Sequence, residues 1–146
     1  LLVVIATASG LLGVALHGAC ARLVGARSSL VASLSVWVLM YASMALFVYR
    51  PEHRVATFPI AVVAGAGVSW SWFDTYSLYT SLQPPGREVE LWGWYQLASV
   101  ALSWLPPLIF TALNEGTGDL RIGFASMAAY CFVAIIILLT RISSAA

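Results

Sequence analysis

The sequence predicts an all-α membrane protein, a polytopic bundle of helices that cross a lipid bilayer. Hydrophobic residues make up 61% of the 146 residues and charged residues only 9%, whereas a soluble domain carries about 25% charged residues. The mean hydropathy is +0.91. The apolar residues come in five long runs that short polar breaks separate, which is the pattern of spans joined by turns. Lipid is therefore the main solvent of this chain.

Each of the five runs reaches the roughly 20 residues that a helix needs to cross a hydrocarbon core of about 30 Å. The predicted spans are residues 1–21, 29–49, 56–82, 91–113 and 122–140. Because each break is short, consecutive helices must be antiparallel neighbours. Small residues four apart favour close helix packing in lipid. These pairs are Ala6 with Gly10, Ala61 with Gly65, Gly67 with Ser71, and Ala125 with Ala129.

Composition excludes several other classes of protein. Seven arginines, no lysine and six acids leave a formal net charge of +1, which is no basis for nucleic-acid binding. Cys20 and Cys131 lack the spacing of a zinc site or a disulfide framework. No soluble-enzyme motif occurs, so the sequence predicts no cofactor, no metal site and no enzyme activity.

Asp74 is the only acid inside a predicted span, about 12 Å from the end of that span. An intramembrane carboxylate costs at least a few kcal/mol and is a functional candidate. It could line a cavity, with Tyr76 nearby, and bind a substrate amine or a coupling proton. Alternatively, hydroxyl groups of neighbouring helices hydrogen-bond it, and it only locks the packing. Its helical stripe contains Gly67, Ser71, Asp74, Ser77 and Ser81.

The fourth span repeats this polar pattern with Gln96, Ser99 and Ser103 on one face. Pro106 and Pro107 then remove two backbone donors, which bends the helix or leaves carbonyl groups free. Broken helices often line transporter sites. These three polar residues are therefore candidates for substrate binding, and the alternative is a packing kink whose hydroxyls bond within their own helix.

His17 lies in the first span, five residues before Arg22. A proton relay is one interpretation, and an interfacial position near the helix end is the favoured one. His17 and Asp74 are the only histidine and acid inside the spans, and nothing in the sequence places them together. An intramembrane enzyme is therefore disfavoured.

A polar break, Leu82-Gln-Pro-Pro-Gly-Arg-Glu-Val-Glu90, separates the third and fourth spans. Glu88 and Glu90 begin the fourth helix, where carboxylates interact favourably with the positive end of the helix dipole. Arg87 can pair with either acid or with an acid elsewhere in the protein. The break is interpreted as a helix cap, with a gating salt bridge as the alternative.

The loop after the first span resembles the loop signature of the major facilitator superfamily. Gly18, Gly25 and Arg27 fit that signature, while Arg22 and Leu23 stand where it has an Asp-Arg pair. The resemblance implies that this loop takes part in gating.

The second half of the chain resembles the closing part of the autophagy-related vacuolar amino-acid effluxer family, within the major facilitator superfamily. The residues that carry the resemblance are Pro84-Pro-Gly-Arg-Glu88-Val-Glu90, Gly93-x-Tyr95, Ser103-Trp-Leu105-x-Pro107-Leu108 and Arg121-Ile-Gly123. It covers roughly residues 65–139 and would make the five spans helices eight to twelve of a twelve-helix transporter. Trp72 and Tyr76 stand where that family has a Gln and an Arg within the helix.

The resemblance implies a secondary transporter that exports neutral amino acids from a vacuole-like compartment by alternating access. Residues 1–146 would be a partial C-terminal transmembrane domain. Its partners would be the lipid bilayer, a small-molecule substrate and a missing N-terminal half, and its location the vacuolar membrane. The alternative is a non-transporting scaffold or pseudo-transporter fragment. A transporter predicts a polar face that lines the path opposite a missing partner half, and a scaffold predicts that Asp74 and Gln96 can be replaced without loss of function.

Overall fold

The computed structural model describes residues 2–47 and 57–141, which form α-helices and no β-strand. The helices are α1 (Leu2–Val24), α2 (Ala26–Phe47), α3 (Thr57–Ser81), α4 (Glu88–Leu102), α5 (Leu105–Thr117) and α6 (Leu120–Arg141). The predicted all-α membrane bundle is confirmed. The predicted span ends at Leu1, Tyr49 and Ala56 lie outside the described residues.

Four helical stretches in the described part of the chain are long and apolar enough to cross a membrane. They are α1, α2, the stretch Glu88–Thr117 that holds α4 and α5, and α6. Helix α3 has 25 residues, enough to cross, but its serines, tyrosines, tryptophans and Asp74 lower its hydropathy. Because α3 packs against both α1 and α2, much of its surface meets protein rather than lipid.

The predicted fourth span, residues 91–113, is divided into two helices rather than continuous. Helix α4 ends at Leu102 and α5 begins at Leu105. Pro106 and Pro107 cause the interruption, since neither has an N–H to donate into the preceding turn. Both prolines lie in the first turn of α5, where an N–H has no helical acceptor in any case. The interruption predicted at this proline pair is present.

Small and polar side chains fill the contacts between helices, and large apolar side chains point outward. Val3, Leu11 and Leu39 are 77%, 77% and 67% exposed. Such a distribution is stable when lipid surrounds the bundle and small residues let the helix backbones approach each other. The buried positions include Ser9, Gly13, Ser29, Ser33, Gly65 and Gly67.

Two glycines bring α1 and α3 into backbone contact. A Cβ atom on Gly65 would lie 1.9 Å from the carbonyl oxygen of Ala6, and one on Gly13 would lie 2.1 Å from that of Ala66. Neither position has room for a side chain, because the atoms in the way are backbone. Ala6 and Gly65 each belong to a predicted pair of small residues, and the structure brings the two into one contact between α1 and α3. Gly13 adds a second such contact, which the sequence did not predict.

A single residue, Gly25, connects α1 to α2 at a φ of +83°, a conformation that glycine adopts without strain. Its N–H donates to the carbonyl of Ala21 at 3.1 Å, and its carbonyl accepts from the N–H of Ser29 at 3.0 Å. The connection is shorter than the predicted break between Ala21 and Ser29. It brings Ser29 into the first turn of α2, next to α3.

Arg27 links the start of α2 to the end of α6. Its Nε and Nη2 donate to the carbonyl of Leu138 at 3.2 and 3.1 Å, and Nη2 also donates to that of Leu139 at 3.0 Å. Carbonyls in the last helical turn have no helical donor, and a cation interacts favourably with that end of the dipole. Leu138 also belongs to an apolar core with Leu30 and Leu78. Arg27 therefore binds α6 next to the apolar contact between α2 and α6.

Replacing Arg27 with glutamine is expected to lower the free energy of unfolding by about 1–2 kcal/mol, because charge-assisted bonds to α6 are lost. The control is Arg22→Gln on the exposed last turn of α1, which should change stability by less than about 0.5 kcal/mol. The measurement is the thermal unfolding midpoint of the purified protein in detergent. Equal midpoints for the two variants would contradict a stabilising role for the Arg27 guanidinium.

Candidate functional site

Four polar side chains from α1, α2 and α3 meet inside the bundle, and we call them the His17–Asp74 cluster: His17, Ser29, Trp70 and Asp74. His17 Nδ1 lies 2.6 Å from Asp74 Oδ1, and Ser29 Oγ lies 2.9 and 2.8 Å from the two carboxylate oxygens. Trp70 Nε1 lies 3.0 Å from Ser29 Oγ. Asp74 and Ser29 are 0% exposed, whereas the His17 side chain keeps 20% exposure.

Helical spacing aligns this cluster with the backbone contact between α1 and α3. Residues four apart lie on the same face of a helix. His17 follows Gly13 by one such step, and Trp70 and Asp74 follow Ala66 by one and two. The same face of α1 therefore carries both the backbone contact and His17, and the same face of α3 carries both the backbone contact and Asp74.

The chemistry of Trp70 determines the direction of the hydrogen bonds. An indole N–H only donates, so Ser29 Oγ accepts from Trp70 and its own proton points at Asp74. An ionised carboxylate only accepts, so the Nδ1 of His17 carries the proton that faces Asp74. Asp74 as a carboxylate therefore receives hydrogen bonds from two neighbouring helices.

Asp74 does not line an open cavity in this structure; a hydroxyl group and an imidazole enclose it. The sequence left two arrangements open for Asp74: lining a cavity, or accepting hydrogen bonds from hydroxyl groups of neighbouring helices. The hydrogen bond from Ser29 belongs to the second arrangement. The sequence does not place His17 near Asp74, but the fold does. The two residues are 57 positions apart in the sequence and meet through helix packing, which no local pattern describes.

An open groove of about 380 Å³ lies at the break between α4 and α5. Because the two prolines donate no N–H, the carbonyls of Leu102 and Ser103 lack the helical donor four residues on. The hydroxyl of Ser103 donates to the carbonyl of Val100 at 2.8 Å, as the packing-kink interpretation expects. The residues that line the groove include Tyr95, Ser99, Leu102, Ser103, Pro106 and Tyr130.

A comparison with protein families identifies the wider group. The model of the family described as "Vacuole effluxer Atg22 like" matches residues 1–144, nearly the whole chain. The chain belongs to this family. No match comes from the curated proteins or from the solved structures.

Membership confirms the family that the sequence resembles. The protein is a multi-pass integral membrane protein of the vacuole effluxer Atg22-like family, a family of vacuolar transporters, and its location is the vacuolar membrane.

The remaining predicted substrate residues of this Atg22-like chain lie apart from the His17–Asp74 cluster. Tyr76 packs edge-on against Trp92, with ring centroids 5.1 Å apart. Gln96 is exposed on α4. Only Ser99 and Ser103 come together, in the groove at the α4–α5 break. The predicted set thus separates into a buried acid, an aromatic contact and a pair of serines.

The predicted loop glycines differ in what the backbone requires of them. Gly25 needs its positive φ for the turn between α1 and α2. A Cβ on Gly18 would lie 3.8 Å from Arg22 Nη2, an ordinary contact distance, so the space there admits a side chain. Arg27 binds the end of α6. A gating role for this loop stays a prediction.

Arg87, Glu88 and Glu90 form a local set of contacts at the start of α4. Arg87 Nε and Nη2 donate to the Glu90 carboxylate at 2.8–3.0 Å, and the N–H of Gly86 donates to Glu88 at 3.0 Å. The side chains of the ion pair are 61% and 53% exposed, so it contributes about 0–1 kcal/mol. Arg87 is the N-cap residue of α4 and its side chain makes no capping hydrogen bond, so capping and gating both stay predictions.

Sequence reasoning missed Ser29 and Trp70 and favoured an interfacial position for His17. One signal was available in the first span. His17 continues the stripe of small residues that packs against α3, at the spacing of a single helix face. That stripe consists of Ala6, Gly10, Gly13 and His17.

Proposed function

We propose that this chain forms part of a secondary transporter that moves amino acids out of a vacuole-like compartment by alternating access. The His17–Asp74 cluster carries the proposal. It holds an acid at 0% exposure where three helices of a membrane bundle meet. An ionisable group inside a membrane is costly, and such groups mark substrate and ion pathways. In an effluxer family, transport is the function that such a cluster serves.

The groove at the α4–α5 break supports a site for the substrate. Its volume of about 380 Å³ lies within the range of small-molecule pockets, about 300–1,000 Å³. The hydroxyl of Ser99 offers a donor to a carboxylate, whereas Ser103 donates its proton to the carbonyl of Val100 and offers its oxygen as an acceptor. The carbonyls that the prolines leave free offer acceptors to an ammonium group. A neutral amino acid presents both of these groups.

Alternating access requires a second group of helices that rocks against this one, with the substrate between them. The groove is open on one side, and further helices of the same protein would close it. In this proposal the present helices supply one wall of the path.

Replacing Asp74 with asparagine in the full-length protein is expected to slow transport by about tenfold or more, because a bond to a charged group is worth about 1.5–3 kcal/mol. The measurement is efflux of radiolabelled leucine, a neutral amino acid, from reconstituted vesicles. Ser99→Val and Ser103→Val should raise the leucine concentration for half-maximal rate. Glu115→Gln, at an exposed acid of α5, is the matched control and should leave the rate unchanged.

A wild-type protein that moves no neutral amino acid faster than protein-free vesicles would overturn the proposal. An unchanged efflux rate in Asp74→Asn and in both serine variants would instead show that the cluster only holds the helices together and that the substrate binds elsewhere.

A further inference from the structure

We infer that the His17–Asp74 cluster is a proton-binding site and that its proton moves with the substrate. The inference rests on the proposed function for the coupling to substrate. Proton binding itself depends only on the four side chains of the cluster, so the two parts can be tested separately.

The charge of the cluster makes a proton favourable there. When the imidazole is neutral, the buried Asp74 carboxylate leaves a net negative charge inside an apolar bundle. A buried charge without a counter-charge is strongly unfavourable, and a proton on His17 makes the pair neutral overall. Histidine is the side chain that changes its charge between about pH 5 and 8. The cluster is therefore suited to hold a proton and to release it.

The hydrogen bonds locate the atom that takes up the proton. The Nδ1–H of His17 faces Asp74 at 2.6 Å, so the free position on the ring is Nε2. Uptake at Nε2 converts the imidazole to an imidazolium, and release reverses it. Asp74 is 0% exposed, but the His17 side chain keeps 20% exposure. His17 is therefore the member of the pair with accessible surface, and its Nε2 is the atom that takes up the proton.

Among the described residues, no other charged or titratable group on the packed helices hydrogen-bonds to the cluster or forms an ion pair with it. Arg22 lies beside Gly18, and Arg27 binds the carbonyls that end α6. Cys20 is a free, half-buried thiol. At the start of α4, Arg87 pairs with Glu90, and Glu88 accepts from a backbone N–H. The tyrosines of α2, α3 and α4 contact aromatic rings: Tyr41, Tyr76, Tyr79 and Tyr95.

The position of the cluster connects its proton to helix movement. His17 on α1 bonds Asp74 on α3, while Ser29 holds the same carboxylate from α2. Charge-assisted hydrogen bonds are about twice as strong as neutral ones. The bond to the Asp74 carboxylate is charge-assisted in both states of His17. Protonated His17 adds the attraction of opposite charges, and loss of the proton removes that attraction and weakens the α1–α3 link. The proton thus favours one arrangement of the helices. Because substrate transport also requires the helices to change arrangement, proton binding and transport are coupled.

Proton binding is tested by infrared difference spectroscopy of the full-length protein in lipid vesicles, stepped between about pH 5 and 8. We expect an imidazole signal that His17→Gln removes and Asp74→Asn shifts. His53→Gln is the control, at the chain's other histidine, and should leave this signal in place. Identical spectra for wild type and His17→Gln would overturn the proton site.

Coupling is tested with radiolabelled leucine in the same vesicles, with and without a pH gradient. His17→Gln is expected to lose gradient-driven accumulation while keeping leucine exchange at equal pH. Ser35→Ala should keep both, since its hydroxyl bonds only to the carbonyl of Val31 in its own helix. Undiminished gradient-driven accumulation in His17→Gln would overturn the coupling and leave the proposed function standing. A wild-type protein that moves no leucine would remove the coupling with the proposed function, and the infrared titration would still decide the proton site.

Discussion

Gly65→Ala is expected to lower the free energy of unfolding by about 3 kcal/mol or more, the upper end of overpacking effects. The new Cβ would lie 1.9 Å from the carbonyl oxygen of Ala6 and 2.3 Å from Ser9 Oγ. Carbon atoms in contact prefer separations of about 3.5–4.0 Å, so α1 must move away from α3. His17 lies on the same face of α1, and the movement would also lengthen its bond to Asp74.

Gly93→Ala is the matched control for this change. Gly93 lies within α4, and a Cβ there meets no atom within 4 Å. Alanine in place of a helical glycine should raise the free energy of unfolding by about 0.5–1 kcal/mol. The two substitutions should therefore change that free energy in opposite directions. Both are measured as the temperature at which the purified protein loses its monodisperse size-exclusion peak. A Gly65→Ala midpoint at or above the wild-type value would show that α1 and α3 do not touch at this point.

Ser29→Ala is expected to destabilise the protein by about 2–4 kcal/mol, because a buried polar group left without its partner costs about 1–3 kcal/mol. One substitution affects two such groups. The Trp70 indole N–H loses its acceptor, and Asp74 loses its donor from α2. Both are buried, so water cannot replace the hydroxyl without opening the bundle.

Ser35→Ala is the control, since it deletes a hydroxyl from the same helix that bonds only within that helix. Its effect should stay below about 0.5 kcal/mol. The same thermal measurement applies, together with tryptophan fluorescence, which reports a change around Trp70. Equal effects of the two serine changes would contradict the hydrogen-bond order from Trp70 through Ser29 to Asp74.

The helices themselves were predictable, because their formation in lipid depends on local composition. A run of about 20 apolar residues must satisfy its backbone internally, and a helix does so. The helix starts and ends were less predictable. The charge of Arg22 and Arg27 suggested a wide break between the first two spans, whereas one glycine in the left-handed conformation suffices for the turn.

Only one residue of the candidate site could be predicted from the sequence: Asp74, whose burial costs the most free energy. Asp74 was identifiable because an acid in a hydrophobic run needs an explanation wherever it lies. Its partners depend on which helices pack and at what rotation, and two positions 57 apart carry no mutual signal in one sequence. Ser29 and Trp70 are ordinary residues for a membrane helix. Only the packing of α2 against α3 gives them a role.

The contact between Arg27 and the end of α6 has a consequence for the time course of synthesis. Leu138 follows Arg27 by 111 positions. At translation rates of about 5–20 residues per second, α2 leaves the ribosome roughly 5–20 s before its partner exists. During that interval an arginine at the head of α2 must be stabilised by water, by lipid headgroups or by the insertion machinery. The contact between Arg27 and α6 therefore forms only after α6 has been synthesised, which makes it a late event relative to the synthesis of α2.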